Sequence, residues 1–256
     1  MSNNVTFHDL KNASVFITGG GSGIGAAITE GFLAQGAKVA FVQRSECEEF
    51  IETMSSKYNH KPLFIKCDIT DTKALQKAIF KANEAHGGIN ALVNNAANDS
   101  RHSLDEMTTE EWDQSININL RPHFFTAQAV SPIMRSQGGG SIINFSSASY
   151  LMGNAGYPAY VASKAGITGL TRSLARELGS DNIRVNSLIP GWVLTEKQLK
   201  LWANEADLAS HLEKQCIKEH LIPNDLIDST LFLASDASRM ITGQALVIDG
   251  GVVVTG

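Results

Sequence analysis

The chain has 256 residues, 43% of them hydrophobic and 18% charged, with a formal net charge of −5. That apolar share suffices for one sizeable core and excludes a disordered chain or a disulfide-stapled miniprotein. No basic stretch stands out, which argues against a nucleic-acid partner and against docking to an anionic membrane.

The length fits one α/β domain over residues 1–256, and no composition break marks a linker. No apolar run approaches the roughly 18 residues of a spanning helix. The stretch Met1 to Asn12 is polar and lacks the apolar region of a secretory signal. Cys47, Cys67 and Cys216 form no C-x-x-C pair, so neither a zinc site nor a redox dithiol is suggested. Reduced thiols in a cytoplasmic protein are expected.

In chain order, Ser14–Thr18 reads as a first strand stopping at Gly19, and Ile24 to Gln35 as a helix. Lys38–Val42 is a second strand, followed by a polar helix, and Leu63–Lys66 a third. Thr72 to Ala85 reads as a helix, Ala91–Val93 as a strand and Thr109 to Gln137 as one long helical stretch. Ser141–Phe145, Arg184–Leu188 and Ala245–Asp249 read as strands, with helices over Pro158 to Gly179 and Asp225 to Ala234 between them. Strands alternating with helices argue for βαβ units and a parallel sheet, and largely apolar strands for a sheet covered on both faces. Trp192 to Pro223 interrupts the alternation. A long excursion in a compact domain reads as a functional lid, here over residues 192–223.

Thr18-Gly19-Gly20-Gly21-Ser22-Gly23-Ile24-Gly25 sits between the first strand and the first helix. Glycines there permit a tight turn and close approach of a pyrophosphate, which meets the free N–H groups of the helix start. An acid about 20 residues on normally holds the ribose 2′-hydroxyl. Gln43 and Arg44 stand at that place instead. A neutral amide removes a repelling carboxylate, and the guanidinium suits a 2′-phosphate, so the pair favours NADP over NAD. Glu46, Glu48 and Glu49 put acid nearby and count against it. Asp68 is placed either to accept from an adenine amino group or to end its strand in a turn. Asn94-Asn95-Ala96-Ala97 suits either a backbone passing a ribose or a plain turn.

Tyr160 and Lys164 stand at i and i+4 and share a helix face, with Pro158 fitting the first turn. A tyrosine with an ordinary pKa near 10 needs a neighbouring cation to serve as a base at neutral pH. Ser147, thirteen residues earlier, is placed to hold the substrate oxygen. Asn119 lies mid-helix, an unfavourable place for an amide, where a buried amide bonded to neighbouring backbone is the plain alternative. Pro190-Gly191 turns the chain after the sixth strand.

Together these motifs resemble those of the short-chain dehydrogenase/reductase family. Thr18-Gly19 to Gly23-Ile24-Gly25 is similar to its TGxxxGIG, and Asn94-Asn95-Ala96-Ala97 to its NNAG with a final alanine. Asn119, Ser147, Tyr160 and Lys164 match its catalytic tetrad, Pro190-Gly191-Trp192 to Thr195 its PG motif, and Asp249-Gly250-Gly251 its DGG. The resemblance implies a Rossmann-like doubly wound sheet of seven parallel strands and hydride transfer to or from NAD(P). It implies Tyr160 as acid/base, Lys164 lowering its pKa and binding the nicotinamide ribose, Ser147 positioning substrate and Asn119 in a proton relay. Cofactor contacts are implied at Gly19, Gly21, Ser22, Gly23, Ile24, Gly25, Gln43, Arg44, Asp68, Ile69, Asn95, Ala96, Ala97, Tyr160, Lys164, Pro190, Gly191, Val193 and Thr195. A homotetramer is the implied assembly.

The stretches NNAANDSRH, PGWVLTEKQLK and LFLASDASRMITGQ look similar to a branch of sugar dehydrogenases, implying oxidation of an aldose at C1 to its lactone. Candidate substrate contacts are Ser149, Asn154, His102 and Gln198, with Trp202 as a cap; each is equally an ordinary surface or packing residue. A carbonyl or 3-oxoacyl reductase of the same family is the alternative, and a non-catalytic NAD(P)-binding regulator the alternative of another class. A methyltransferase would leave the Tyr160/Lys164 pair unexplained.

Overall fold

The computed structural model describes residues 5–254. The apolar runs form seven strands: β1 (Ser14–Thr18), β2 (Lys38–Gln43), β3 (Leu63–Lys66), β4 (Ala91–Asn94), β5 (Gly140–Phe145), β6 (Ile183–Pro190) and β7 (Ala245–Ile248). All neighbours pair parallel, in the order β3-β2-β1-β4-β5-β6-β7. The expected seven-stranded, doubly wound sheet is therefore present, and its order reverses between β1 and β4.

Among the described residues, ten α-helices connect and flank the strands: α1 (Gly23–Ala34), α2 (Glu48–Lys57), α3 (Thr72–His86), α4 (Thr109–Asn119), α5 (Arg121–Ser136), α6 (Ser149–Met152), α7 (Pro158–Leu178), α8 (Glu196–Leu201), α9 (Glu205–Lys214) and α10 (Ile227–Ala234). Successive strand residues face opposite sides of the sheet, so the sheet feeds two cores. Val15, Ile17, Val39, Phe41 and Val93 pack with Ile28 and Phe32 of α1 and Leu231 of α10. Phe16, Ala40, Val42, Leu92 and Ile142 pack with Leu75 and Ile79 of α3, Val130 of α5 and Leu174 of α7. Among the described residues no helix is long and apolar enough to cross a membrane.

The structure corrects three expectations. The stretch Thr109 to Gln137 is two helices, broken at Leu120 (φ −123°, ψ −51°). Pro122 sits in the first turn of α5, where its missing N–H costs nothing but cannot continue a helix from α4. Asn119 thus ends α4 instead of lying mid-helix. The helix read from Asp225 to Ala234 begins as a 3₁₀ turn, Pro223–Leu226, before α10. The excursion after β6 carries two short helices, α8 and α9, capped by Thr195 and Asn204. A parallel bridge from Val193 to Leu221 pins its two ends together.

Candidate active site

A cleft of about 1710 Å³ opens at the carboxyl ends of the strands, beside the β1/β4 reversal. Ligands of doubly wound sheets bind at this kind of switch point. Every cofactor candidate from the sequence lines it. The turn after β1 is closed by contact: a Cβ on Gly25 would stand 1.8 Å from the Gly19 carbonyl oxygen, and Gly19 itself has φ +72°. Only glycine permits both. No side chain caps the start of α1, so its first N–H groups face the cleft without protein partners. This cradle fits the pyrophosphate of a dinucleotide.

Asn95 ties the end of β4 to the end of β1. Its N–H donates to Thr18 Oγ1 (3.0 Å), and its side-chain amide donates to Thr18 O and Gly19 O (both 3.2 Å). Asn94, by contrast, is turned inward, where its amide donates to Asn144 Oδ1 (3.0 Å) and it accepts from Thr126 (2.9 Å). Gln43 Oε1 accepts from Gly21 N–H (3.0 Å). Arg44 is exposed and forms no ion pair among the described residues, while Glu46 is paired with Lys66. Asp68 Oδ1 accepts from both the N–H and the hydroxyl of Thr70, the turn role open to it, and its residue still lines the cleft.

The catalytic candidates converge at the other end. Lys164 is 1% exposed and donates to the Phe145 carbonyl at 2.8 Å, with its ammonium 5.3 Å from the centre of the Tyr160 ring. Ser147 Oγ accepts from Ser149 N–H at 3.2 Å, and the residue lines the cleft with Tyr160. Burial and the Asp99 charge push the Tyr160 hydroxyl above its ordinary value, and the Ser147 hydroxyl pulls the other way. Burial lowers the Lys164 ammonium to about 7, with Asp99 pulling back. The spacing of the two residues predicts a lysine cation easing tyrosine ionisation, whereas burial by itself favours the neutral form of both.

A family model described as Enoyl-(Acyl carrier protein) reductase matches residues 19–253. The chain is 48% identical over 248 residues to a probable galactose dehydrogenase, GalD, of Rhizobium meliloti (strain 1021), covering 96% of this chain and 97% of that protein. It is 43% identical over 246 residues to a D-xylose 1-dehydrogenase of Caulobacter vibrioides, with 96% and 97% covered. The crystal structure of a putative short-chain alcohol dehydrogenase from Sinorhizobium meliloti 1021 superposes with a TM-score of 0.91 at 31% identity, covering 96% and 98%. The chain belongs to the short-chain dehydrogenase/reductase family. As such it is an NAD(P)-dependent oxidoreductase acting on CH–OH groups.

Of the substrate candidates, this short-chain dehydrogenase/reductase brings Ser149, Asn154, Gln198 and Trp202 into the cleft that Tyr160 also lines. Ser149 is 3% exposed and its hydroxyl has no partner; the Trp202 indole N–H is likewise buried and unpaired. Asn154 donates to the Tyr157 hydroxyl (3.2 Å). Gln198 is spent on the protein, accepting from the Trp192 indole (3.0 Å) and donating to Asp99 Oδ2 (2.6 Å). His102 does not line the cleft. Its Nε2 accepts from Ala159 N–H (3.3 Å), satisfying one of the orphan donors at the start of α7. Asn119, buried outside the cleft, holds the main chain of Asn98 from both sides, accepting its N–H (2.8 Å) and donating to its carbonyl (2.9 Å).

Three residues escaped the sequence reading. Asp99 accepts from Lys197 of α8 at 2.9 Å as well as from Gln198. The Arg101 guanidinium lies 3.8 Å from the centre of the Tyr157 ring and 5.2 Å from that of Trp202. His123 is 2% exposed, has neither ring nitrogen paired, and is held by burial at a pKa of about 3, with the Lys164 charge adding to the shift. The DGG signal proves to be a turn: Asp249 accepts the N–H groups of Gly251, Val252 and Val253. It packs so closely that a Cβ on Gly191 would lie 2.6 Å from its own.

Proposed function

We propose that the protein oxidises an aldose at C1 to its lactone, using NADP. The observation that carries the sugar reading is the near full-length similarity to a galactose and a xylose dehydrogenase. Tyr160 takes the proton of the C1 hydroxyl, and Ser147 donates a hydrogen bond to the same oxygen. Lys164, anchored on Phe145 O, stands beside the Tyr160 ring to favour its phenolate and to bind the nicotinamide ribose. Bound NADP supplies the hydride acceptor. Asn119 grips Asn98 and fixes the loop that borders the cleft, beside the place in a proton relay that the resemblance implies. Residues 192–223 serve as the lid. The NADP preference is supported by the neutral Gln43 and by an Arg44 free of ion pairs among the described residues. A cytoplasmic homotetramer completes the reading, and light scattering on the purified protein checks the assembly.

The test follows nicotinamide absorbance with a panel of aldoses and simple alcohols, each with NAD and with NADP. Reduction of NADP by one or a few pentoses or hexoses supports the proposal. Silence with every aldose, together with NADPH-dependent reduction of a ketone or acyl thioester, overturns it in favour of a reductase.

A further inference from the structure

Resting on the aldose reading, we propose that Asp99 determines substrate selectivity, its carboxylate accepting hydrogen bonds from the sugar hydroxyls beyond the carbon that is oxidised. The side chain is largely buried, at 18% exposure, yet it lines the same cleft as Tyr160 and Ser147. It is also rigidly placed. Asn119 grips Asn98 from both sides, and Asn98 is the residue immediately before it. Lys197 and Gln198 hold one carboxylate oxygen each. An ionised carboxylate offers about four acceptor sites. Lys197 and Gln198 do not exhaust that capacity, so the carboxylate can still accept from ligand hydroxyls.

Asp99, Ser147, Tyr160 and Lys164 all line one cleft, so a single small molecule can meet the carboxylate and the catalytic candidates together. An aldose with its C1 hydroxyl at Tyr160 carries donors on the following carbons, toward this carboxylate. Charge-assisted hydrogen bonds from hydroxyl to carboxylate are about twice as strong as neutral ones. Trp202 and Ser149 border the same cleft, with the indole N–H and the hydroxyl buried and unpaired.

A competing role is purely mechanical: Asp99 fastens the α8 helix to the loop after β4. The two roles separate experimentally. The wild type, Asp99→Asn, Asp99→Glu and Lys197→Met are assayed with the preferred aldose and its monodeoxy analogues at saturating cofactor, after cofactor titration confirms that each is folded. In the wild type, kcat/KM for the parent sugar should exceed that for one deoxy analogue by roughly 10–100-fold, the loss of one hydrogen bond to a charged group. Asp99→Asn should shrink that ratio to a few-fold, and Asp99→Glu, with the charge displaced, should change which analogue is rejected. Lys197→Met, which removes one of the two fastening contacts and leaves the carboxylate, should keep the wild-type ratio whatever it does to KM. A ratio unchanged in both Asp99 variants, or lost equally in Lys197→Met, overturns the proposal while leaving aldose oxidation standing. A wild type that turns over no aldose overturns both.

Discussion

Replacing Gly25 by alanine tests whether the turn after β1 is the cofactor's anchor. The new Cβ would meet the Gly19 carbonyl oxygen at 1.8 Å and the Asn95 amide at 2.7 Å. Ordinary carbon–oxygen contacts lie near 3.3 Å, so the turn must open by about 1.5 Å. That moves the N–H groups at the start of α1 away from the pyrophosphate position. A hydrogen bond to a charged group contributes roughly 1.5–3 kcal/mol. Losing one weakens cofactor binding by roughly 10–150-fold. Forcing a side chain into a filled site costs a further 1–3 kcal/mol or so of stability, which for this size lowers Tm by about 2–10 °C. Calorimetric titration with NAD and NADP reads the first effect and thermal melting the second. Gly179→Ala, where a Cβ meets nothing within 4 Å, is the matched control and should change neither. A Gly25→Ala protein with both Kd values within about three-fold of wild type and an unchanged Tm would refute the reasoning.

Tyr160→Phe should lower kcat by roughly 10²–10⁴-fold while cofactor Kd stays within a few-fold; turnover near the wild-type rate would remove Tyr160 from the chemistry. Because burial and Asp99 raise the Tyr160 hydroxyl, its basic form grows as pH rises, so kcat/KM for oxidation should climb through the alkaline range, and a flat profile contradicts this. Arg44→Ala should weaken NADP by about 10-fold or more and NAD by less than about three-fold; equal losses show that Arg44 does not read the 2′-phosphate. His123 is held near 3 in the folded chain, against about 6.5 when unfolded, so the unfolded state gains a proton first and stability falls as pH drops through that window. His123→Leu should flatten the fall of Tm between about pH 6 and pH 4, and an unchanged slope would place the acid sensitivity elsewhere.

The strands were legible because both faces of the sheet are covered, which makes them short apolar runs bounded by turns. Tyr160, Lys164 and Ser147 were legible because their spacing and residue types serve one chemistry. The break at Leu120 was not, since the residues on either side suit a helix and Pro122 alone marks a start. His102 looked like a polar loop residue facing substrate, whereas an unfilled helix start claims it. Asp99 carried no local pattern at all. Its partners Lys197 and Gln198 lie 98 and 99 residues away, a distance over which only the fold brings them together.

The inward turn of Asn94 has a consequence for assembly. Asn94 bonds Asn144 on the neighbouring strand, Thr126 of α5 completes one side, and Asn144 donates to Thr171 of α7 at 3.0 Å on the other. Apolar neighbours such as Leu92 and Ile142 would tolerate several alignments of β4 on β5. The amides would not: a shifted strand leaves buried donors and acceptors orphaned, at about 1–3 kcal/mol each. The chain of four polar side chains works as a checksum on the pairing of β4 and β5. It adds little to the correct structure and charges its cost to misaligned ones, at the two strands whose ends carry the Asn95 and Ser147 positions.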